Sequence, residues 1–262
     1  MKIAIITGGT SGIGLETAKV LAEKGCKVYE FSRRDAEFAF MKHMRVDISD
    51  EAQVRAAVEK IHNQEGRIDI LVNNAGFGIS GAFEFTSSDE AHRLLEVNLF
   101  GMNNCIRAVL PHMRRQKSGR IVNLSSVAGP LPIPFQSWYS ISKAAVNALT
   151  MALANEVHCY GISVCCVMPG DIRTGFTAAR QKNILGDDQY GGRISRSVSR
   201  MEKDEQNGMS PAVAGRFIAN LATKKRVKPY NTIGFMYKCC ILLSKILPGS
   251  MVRFILEMMY AR

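Results

Sequence analysis

A tyrosine and a lysine four residues apart carry the clearest acid–base chemistry in the sequence. Tyr139 and Lys143 fall in a stretch whose pattern predicts a helix, so their side chains share one face, one turn apart. A phenol alone titrates near ~10 and is a weak acid–base group at neutral pH. A cation within ~4–6 Å favours the phenolate, so we expect Lys143 to lower the pKa of Tyr139. The pair suits proton transfer to or from an alcohol oxygen, although the spacing alone also fits an exposed helix face.

The length and composition predict one α/β domain over residues 1–262. With 47% hydrophobic and 22% charged residues, the chain can bury a substantial core. No uninterrupted apolar run reaches ~18 residues, so we expect no membrane-spanning helix. The apolar run that begins at Ile3 is short and leads into glycines, which favours a first strand over a signal peptide. These features predict a cytoplasmic protein.

Positive charge is concentrated at the C-terminal end. The net charge is +11, and residues 224–262 contain eight Lys or Arg but one acid, Glu257. Such asymmetry is compatible with a nucleic acid or an anionic membrane, but a solvated basic face is more common. The sequence contains no nucleic-acid motif, so we expect no nucleic-acid partner. The seven cysteines and five histidines lack metal-ligand spacing, so we expect no metal site.

Apolar strand-like runs alternate with helical patterns along the chain. This alternation predicts a parallel sheet with helices on both faces. The predicted strands are 2–7, 27–32, 44–46, 68–73, 119–125 and 162–168, and the predicted helices are 13–24, 51–65, 88–116 and 138–160. Residues 177–208 break the pattern because they are polar, contain glycines and show no clear strand. A long irregular insertion of this kind predicts a substrate lid.

A glycine-rich turn joins the first strand to the first helix. Gly8, Gly12 and Gly14 allow a tight turn and a close backbone approach, and the helix N-terminus offers free N–H groups to an anion. The spacing Gly-x-x-x-Gly-x-Gly differs from the Gly-x-Gly-x-x-Gly fingerprint. The turn predicts a pyrophosphate site, although an ordinary strand-to-helix turn has the same composition.

The second strand ends in Ser32, Arg33 and Arg34. Sites that prefer NAD place an acid at this point for the ribose 2′-hydroxyl. Guanidinium groups suit a 2′-phosphate instead. We therefore predict NADP(H) as the cofactor, held chiefly by Arg33, with solvated surface arginines as the alternative.

Six elements in order resemble the classical short-chain dehydrogenase/reductases from residue 2 to about residue 177. They are residues 7–14, Asp47 with Ile48, residues 73–76, Asn98, Ser126 with Tyr139 and Lys143, and Pro169-Gly170 followed by Thr174. The resemblance implies a doubly wound Rossmann fold and a homodimer or homotetramer.

The resemblance also implies a role for each matched residue. Tyr139 would be the general acid–base, Lys143 would bind the nicotinamide ribose, and Ser126 would hold the substrate oxygen, with Ser125 as the alternative. Asn98 would help a water connect Lys143 to solvent. The cofactor-binding positions would be Gly8, Thr10, Ser11, Gly12, Ile13, Gly14, Ser32, Arg33, Arg34, Asp47, Ile48, Asn74, Ala75, Gly76, Tyr139, Lys143, Pro169, Gly170, Ile172 and Thr174.

The C-terminal extension, residues 224–262, is similar to a branch that includes 17β-hydroxysteroid dehydrogenases, retinol dehydrogenases and acyl-dihydroxyacetone-phosphate reductases. The similarity implies a hydrophobic secondary alcohol or ketone, with a hydroxysteroid or bile acid as first choice. Arg193, Arg196 and Arg200 would suit an acidic tail on such a substrate. The alternatives are an acyl-ketone phosphate or 3-oxoacyl thioester, and a non-catalytic NADPH sensor. The basic, apolar extension is also compatible with weak peripheral membrane contact, or it closes the pocket or forms a subunit interface.

Overall fold

A seven-stranded parallel sheet lies at the centre of the structure, a computed structural model that describes residues 1–261. The strands are β1 (Lys2–Thr7), β2 (Cys26–Ser32), β3 (Met41–Arg45), β4 (Ile70–Asn73), β5 (Ile79–Ser80), β6 (Gly119–Leu124), β7 (Ile162–Met168), β8 (Gln181–Lys182) and β9 (Tyr230–Thr232). The sheet order is β3-β2-β1-β4-β6-β7-β9, and β5 pairs with β8 in a separate two-stranded sheet. The order changes direction between β1 and β4, which is where such folds bind ligands.

Helices cover both faces of this sheet. They are α1 (Gly12–Glu23), α2 (Glu51–Glu65), α3 (Ser88–Leu95), α4 (Met102–Gln116), α5 (Ser137–Val157), α6 (Phe176–Ala179), α7 (Arg193–Gln206), α8 (Pro211–Thr223), α9 (Phe235–Ser244) and α10 (Gly249–Tyr260). One buried cluster joins the sheet to α2, α4 and α5, and a second joins its other face to α1 and α8. In β1, Ile3 and Ile5 enter the first cluster while Ala4 and Ile6 enter the second, as the two-residue period of a strand requires.

The predicted fold class is confirmed. The strands at 2–7 and 162–168 and the helix at 51–65 have the predicted bounds. The bounds of α2 follow from its ends, because the Asp50 carboxylate accepts hydrogen bonds from the N–H groups of Ala52 and Gln53. Gly66 ends the helix with a positive φ of 72°, a conformation that glycine adopts at little cost.

Several segments differ from the predictions, since a π-helical turn at Glu96–Gly101 interrupts the helix predicted over 88–116 and β3 begins at Met41 rather than at residue 44. Residues 177–208 are not irregular, because they contain β8 and the 14-residue helix α7. The C-terminal residues are not merely an extension, because β9 pairs with β7 as the seventh strand of the sheet. Within residues 1–261, no helix has both the length and the apolar character needed to cross a bilayer.

Candidate active site

A cleft of about 990 Å³ opens at the carboxyl ends of the central strands. It is lined by most of the predicted site residues: Gly8, Thr10, Ser11, Gly12, Ile13, Ser32, Arg33, Arg34, Asp47, Ile48, Asn74, Ala75, Gly76, Ser126, Tyr139, Lys143, Pro169, Gly170, Ile172 and Thr174. The fold therefore brings residues from seven separate segments of the chain into one continuous cleft.

Two predicted site residues lie behind the cleft wall rather than on it. A Cβ at Gly14 would lie 2.3 Å from the Gly8 carbonyl oxygen and 2.5 Å from Asn74 Nδ2. Gly14 thus permits close packing of α1 against the turn and does not line the cleft. Asn98 is 3% exposed and bonds to its neighbours.

The glycine turn fits a dinucleotide pyrophosphate. Gly8 and Gly12 have positive φ angles of 66° and 54°, which side-chain-bearing residues rarely adopt. A Cβ at Gly8 would meet the Ala75 Cα at 3.0 Å. The Asn74 amide donates to the carbonyl oxygens of Thr7 and Gly8 and holds the turn against β4. The N-terminus of α1 faces the cleft at this turn, with N–H groups suited to an anion.

A buried carboxylate accepts a hydrogen bond from the same turn. No role was assigned to this residue from the sequence. Glu30 on β2 is fully buried, and its Oε1 accepts a hydrogen bond of 2.9 Å from the Gly9 N–H. Its Oε2 contacts His43 Nδ1 at 2.6 Å and accepts a hydrogen bond from Ser32 Oγ. An acid within an apolar strand is a signal for such a buried network, since an unpaired buried charge is costly.

The catalytic candidates meet where β6 and α5 approach each other. Tyr139 and Ser126 both line the cleft, and the Ser126 hydroxyl lowers the pKa of the Tyr139 phenol. Ser125 is buried and donates to the Lys143 carbonyl oxygen at 3.0 Å, so its hydroxyl proton is already used in a hydrogen bond to the backbone of α5. The geometry therefore favours Ser126 over Ser125 as the serine that faces a reacting oxygen. The Tyr139 ring also contacts the Phe176 ring, with centroids 5.8 Å apart.

The expected lowering of the tyrosine pKa is not found in this structure. Burial raises the pKa of Tyr139 to about 12, and the nearby Ser126 hydroxyl opposes this only in part. Lys143 Nζ lies 5.6 Å from the centre of the Tyr139 ring and donates to the Leu124 carbonyl oxygen at 2.8 Å. Burial also lowers the pKa of Lys143 to about 8. Burial desolvates both side chains, and desolvation favours the neutral form of each.

Replacing Lys143 with methionine should change the pH dependence of stability. The lysine pKa falls from 10.5 to about 8 on folding, so the unfolded chain binds the proton more tightly than the native state does. The charged amine therefore destabilises the fold by up to about 3 kcal/mol below pH ~8, and this cost is lost as pH rises toward ~10.5. Lys143→Met should be more stable relative to the wild type at pH 7 than at pH 10, as measured by urea unfolding. A constant difference, or the same change in the surface control Lys60→Met, would contradict the assignment.

Asn98 lies in a π-helical turn between α3 and α4, at residues Glu96–Gly101. Its amide accepts from the Phe77 N–H at 3.0 Å and donates to the Phe77 carbonyl oxygen at 2.9 Å. A Cβ at Gly76 would lie 2.9 Å from Asn98 Oδ1 and 3.9 Å from Lys143 Nζ. Such π turns interrupt α-helices frequently at functional sites. Asn98 therefore fixes the strand-to-helix segment beside the lysine, and its part in a proton relay stays a prediction.

The other half of the cleft is apolar with two carboxylates. Its walls include Phe77, Ile133, Phe176, Met201 and Tyr260, and the carboxylates are Asp171 and Glu205. Glu205 bonds to Thr177 Oγ1 and to the buried Arg180. Asp171 accepts from the Tyr237 hydroxyl at 2.5 Å, and burial raises its pKa. Met201 and Glu205 belong to the predicted lid and Tyr260 to the C-terminal extension, whereas Asp171 and Phe176 were assigned no role from the sequence.

The arginines of the predicted lid do not enter this half of the cleft. Arg193 donates to the Ala261 carbonyl oxygen, Arg196 to the Gly191 carbonyl oxygen, and Arg200 pairs with Asp204. The expectation that they face an acidic substrate tail is therefore wrong. Within residues 177–208, the residues that line the cleft are Ala178, Ala179, Gln181, Met201 and Glu205.

A family model described as "short chain dehydrogenase" matches residues 2–185, which hold the glycine turn and the Ser126, Tyr139 and Lys143 cluster. The chain belongs to the short-chain dehydrogenase family. It is an oxidoreductase of this family, and the family assignment agrees with the sheet order and the cleft. The more specific resemblance to the 17β-hydroxysteroid dehydrogenase branch is not confirmed.

Individual relatives match nearly the whole chain. A 3-ketodihydrosphingosine reductase of Bacteroides thetaiotaomicron is 40% identical over 265 residues, which covers 99% of this chain and 98% of that protein. A short-chain dehydrogenase of Streptomyces avermitilis superposes with a TM-score of 0.83 at 30% identity, covering 98% of this chain and 96% of that one.

Two further solved structures bear on the cofactor. A 3-ketoacyl-(acyl-carrier-protein) reductase of Brucella melitensis, complexed with NADH, has a TM-score of 0.75 at 27% identity and covers 88% of this chain and 96% of its own. ElxO with NADP bound has a TM-score of 0.76 at 27% identity and covers 91% of this chain and 99% of its own. Together with the glycine turn, these likenesses support a nicotinamide cofactor in the cleft.

Proposed function

We propose that the chain reduces the ketone of a long-chain amino ketone, the chemical class of a 3-keto sphingoid base, with NADPH. The observation that carries the reaction is the half-buried Tyr139 phenol, which lines the cleft together with Ser126 and Lys143. The relationship to a 3-ketodihydrosphingosine reductase over 99% of the chain supports the substrate class.

The roles of the residues follow from their positions. A bound reduced nicotinamide would supply the hydride that converts the carbonyl carbon to a carbinol carbon. Tyr139 gives its phenolic proton to the carbonyl oxygen, and its raised pKa keeps that proton in place at neutral pH until the oxygen becomes basic. Ser126 orients the oxygen toward the phenol. Lys143, with a pKa of about 8, is poised to return a proton.

Two features support NADPH over NADH. Arg33 and Arg34 are exposed cations at the cleft margin where a 2′-phosphate would lie. The acid of β2, Glu30, is directed under the glycine turn and bonded to Gly9, so it is not presented to a 2′-hydroxyl. Guanidinium groups bind phosphate with charge-assisted hydrogen bonds.

The substrate half of the cleft fits an amphiphile with a cationic head. The aromatic and aliphatic walls suit an alkyl chain, and Asp171 offers a carboxylate that forms no salt bridge among residues 1–261. An ammonium next to the reacting ketone would pair with the Asp171 carboxylate and favour its ionised form. A hydroxysteroid or bile acid lacks this cation, and an acyl-ketone phosphate would bring a second negative charge.

A matched pair of ketones tests the proposal. Loss of NADPH absorbance should be fastest with the 2-amino-3-ketone of a C18 chain, and kcat/KM for the same ketone without the amino group should be about tenfold or more lower. Asp171→Asn should reduce this preference while retaining turnover of the chain without the amine. A preference for a steroid or a 3-oxoacyl thioester would overturn the substrate class. Cofactor binding with no turnover of any ketone would favour the sensor alternative.

A further inference from the structure

Exposed apolar side chains are concentrated in the last two helices. Of the 18 large apolar side chains exposed in residues 1–261, ten lie between 235 and 259. We call these ten the C-terminal apolar face: Phe235, Met236, Leu242, Leu243, Ile246, Met251, Phe254, Ile255, Met258 and Met259. Scattered exposed apolar residues are normal, but a concentrated group indicates an interaction site.

Helix α10 turns its apolar side away from the protein. Met251, Phe254, Ile255, Met258 and Met259 follow the spacing i, i+3, i+4, i+7 and i+8, which places them on one stripe, and all are exposed. Tyr260, on the other side of the helix, packs into the cluster that contains α7. In a helix of a water-soluble protein, the apolar stripe normally faces the core. In α10 the apolar stripe faces the solvent instead.

Helix α9 has the same arrangement, with cations at its margin. Phe235 is 82% exposed, and Leu242 and Leu243, seven and eight residues later, fall on the same side. The opposite side carries the buried Ile241. Lys238 and Lys245 are also exposed and lie on the border of the apolar stripe. Apolar side chains bordered by lysines are typical of helices that lie in the interface of a membrane.

The positive charge of α9 and α10 favours an anionic lipid surface over a second copy of the chain as the binding partner. The exposed cations on or directly after α9 and α10 are Lys238, Lys245 and Arg253, and the one acid of these helices, Glu257, pairs with Arg253 at 2.9 Å. A second copy of the chain on a two-fold axis would bring the same face against itself, so these cations would repel one another. Anionic lipid headgroups complement them.

We propose that α9 and α10 dock the protein on an anionic lipid surface, with the C-terminal apolar face inserted among the acyl chains. The same two helices border the cleft. Tyr237 of α9 donates to Asp171, and Tyr260 of α10 lines the cleft wall. Docking therefore places the mouth of the substrate half beside the lipid phase. The inference goes beyond the proposed function, because lipid binding does not depend on which ketone is reduced.

Vesicle sedimentation with the full chain tests this docking. The wild type should pellet with vesicles of phosphatidylcholine and phosphatidylglycerol, and much less with phosphatidylcholine alone or at high salt. Leu242→Glu and Met258→Glu should each weaken binding about tenfold or more. Val213→Glu, at an exposed apolar residue of α8, adds the same charge elsewhere and should bind as the wild type does.

A second pair of variants separates charge from apolar contact. Lys238→Ala with Lys245→Ala should weaken binding to the anionic vesicles about 30-fold. Lys60→Ala with Lys117→Ala removes the same charge from the exposed surface of the first 223 residues and should have much less effect. Thermal unfolding confirms that each variant is folded.

Three outcomes would overturn the proposal. One is wild-type protein that stays in the supernatant with anionic vesicles. Another is equal binding to neutral vesicles, because the cations would then not select the lipid. The last is a dimer in sedimentation velocity that Leu242→Glu dissociates, without vesicle binding, because a second copy of the chain would then be the occupant.

Discussion

Replacing Tyr139 with phenylalanine should lower kcat for ketone reduction by about a thousandfold, since positioned acid catalysis contributes roughly 10²–10⁴. The change removes one hydroxyl group from the cleft wall and leaves the ring contact with Phe176 in place. The proton donor is lost, while the glycine turn and the arginines that would hold the cofactor are untouched. Stopped-flow measurement of NADPH oxidation gives the rate, and fluorescence titration gives the NADPH affinity.

Ser126→Ala is the matched comparison for this variant. It removes the hydroxyl that would orient the ketone oxygen but keeps the phenol in the cleft wall, so we expect a smaller loss of kcat than in Tyr139→Phe. Ser125→Ala removes a bond to the backbone of α5 instead and should change thermal stability more than the substrate dependence of the rate. If Tyr139→Phe retained most of the wild-type rate with normal NADPH affinity, Tyr139 would not be the acid.

Replacing Arg33 with aspartate should change the cofactor preference. The variant loses a cation at the 2′-phosphate position and gains an acid there, so the KM for NADPH should rise about 30- to 100-fold while that for NADH changes little or falls. The measurement is kcat/KM for each cofactor with the same ketone. This variant tests the finer assignment of NADP(H), beyond a nicotinamide cofactor in general.

Arg55→Asp is the control for the change in net charge. Arg55 is an exposed residue of α2 that does not line the cleft, so its replacement should affect the two cofactors equally and weakly. Equal losses of NADPH and NADH with Arg33→Asp would show that Arg33 does not recognise the 2′-phosphate.

The sequence was informative where local chemistry decides the structure. The apolar runs of β1 and β7 and the capped helix α2 have side-chain patterns that few other folds accommodate, so their bounds could be predicted. The glycine turn and the tyrosine–lysine pair could be placed because each depends on spacing within one segment. Their meeting in one cleft follows from the parallel sheet, whose carboxyl ends share an edge.

For helix α7, the polar amino-acid composition led to a wrong prediction of irregular structure. Ile194, Val198 and Met201 are buried at helical spacing, and this signal was present in the sequence. The arginines and serines between them dominated the composition, so the segment was interpreted as irregular. The strand β9 has three residues, which is too short for any period to be detected. It forms because β7 offers an unpaired edge.

The pKa values of the site residues could not be predicted from the spacing of these residues in the sequence. The pair Tyr139 and Lys143 has the expected separation, but their pKa values depend on how much water each loses on folding, and burial moves both toward the neutral form. The roles of Glu30 and Asp171 likewise depend on contacts with residues far along the chain, His43 and Tyr237. Such contacts exist only in the folded structure.

Transfer of deuterium from labelled NADPH to a 2-amino-3-ketone tests the central claim most directly. With the purified wild type and the transferable position of the nicotinamide deuterated, mass spectrometry of the product should show one deuterium on the carbinol carbon, in proportion to the NADPH consumed. Tyr139→Phe should form almost none of this product. A protein that binds NADPH tightly but returns the ketone unchanged and unlabelled would contradict the account.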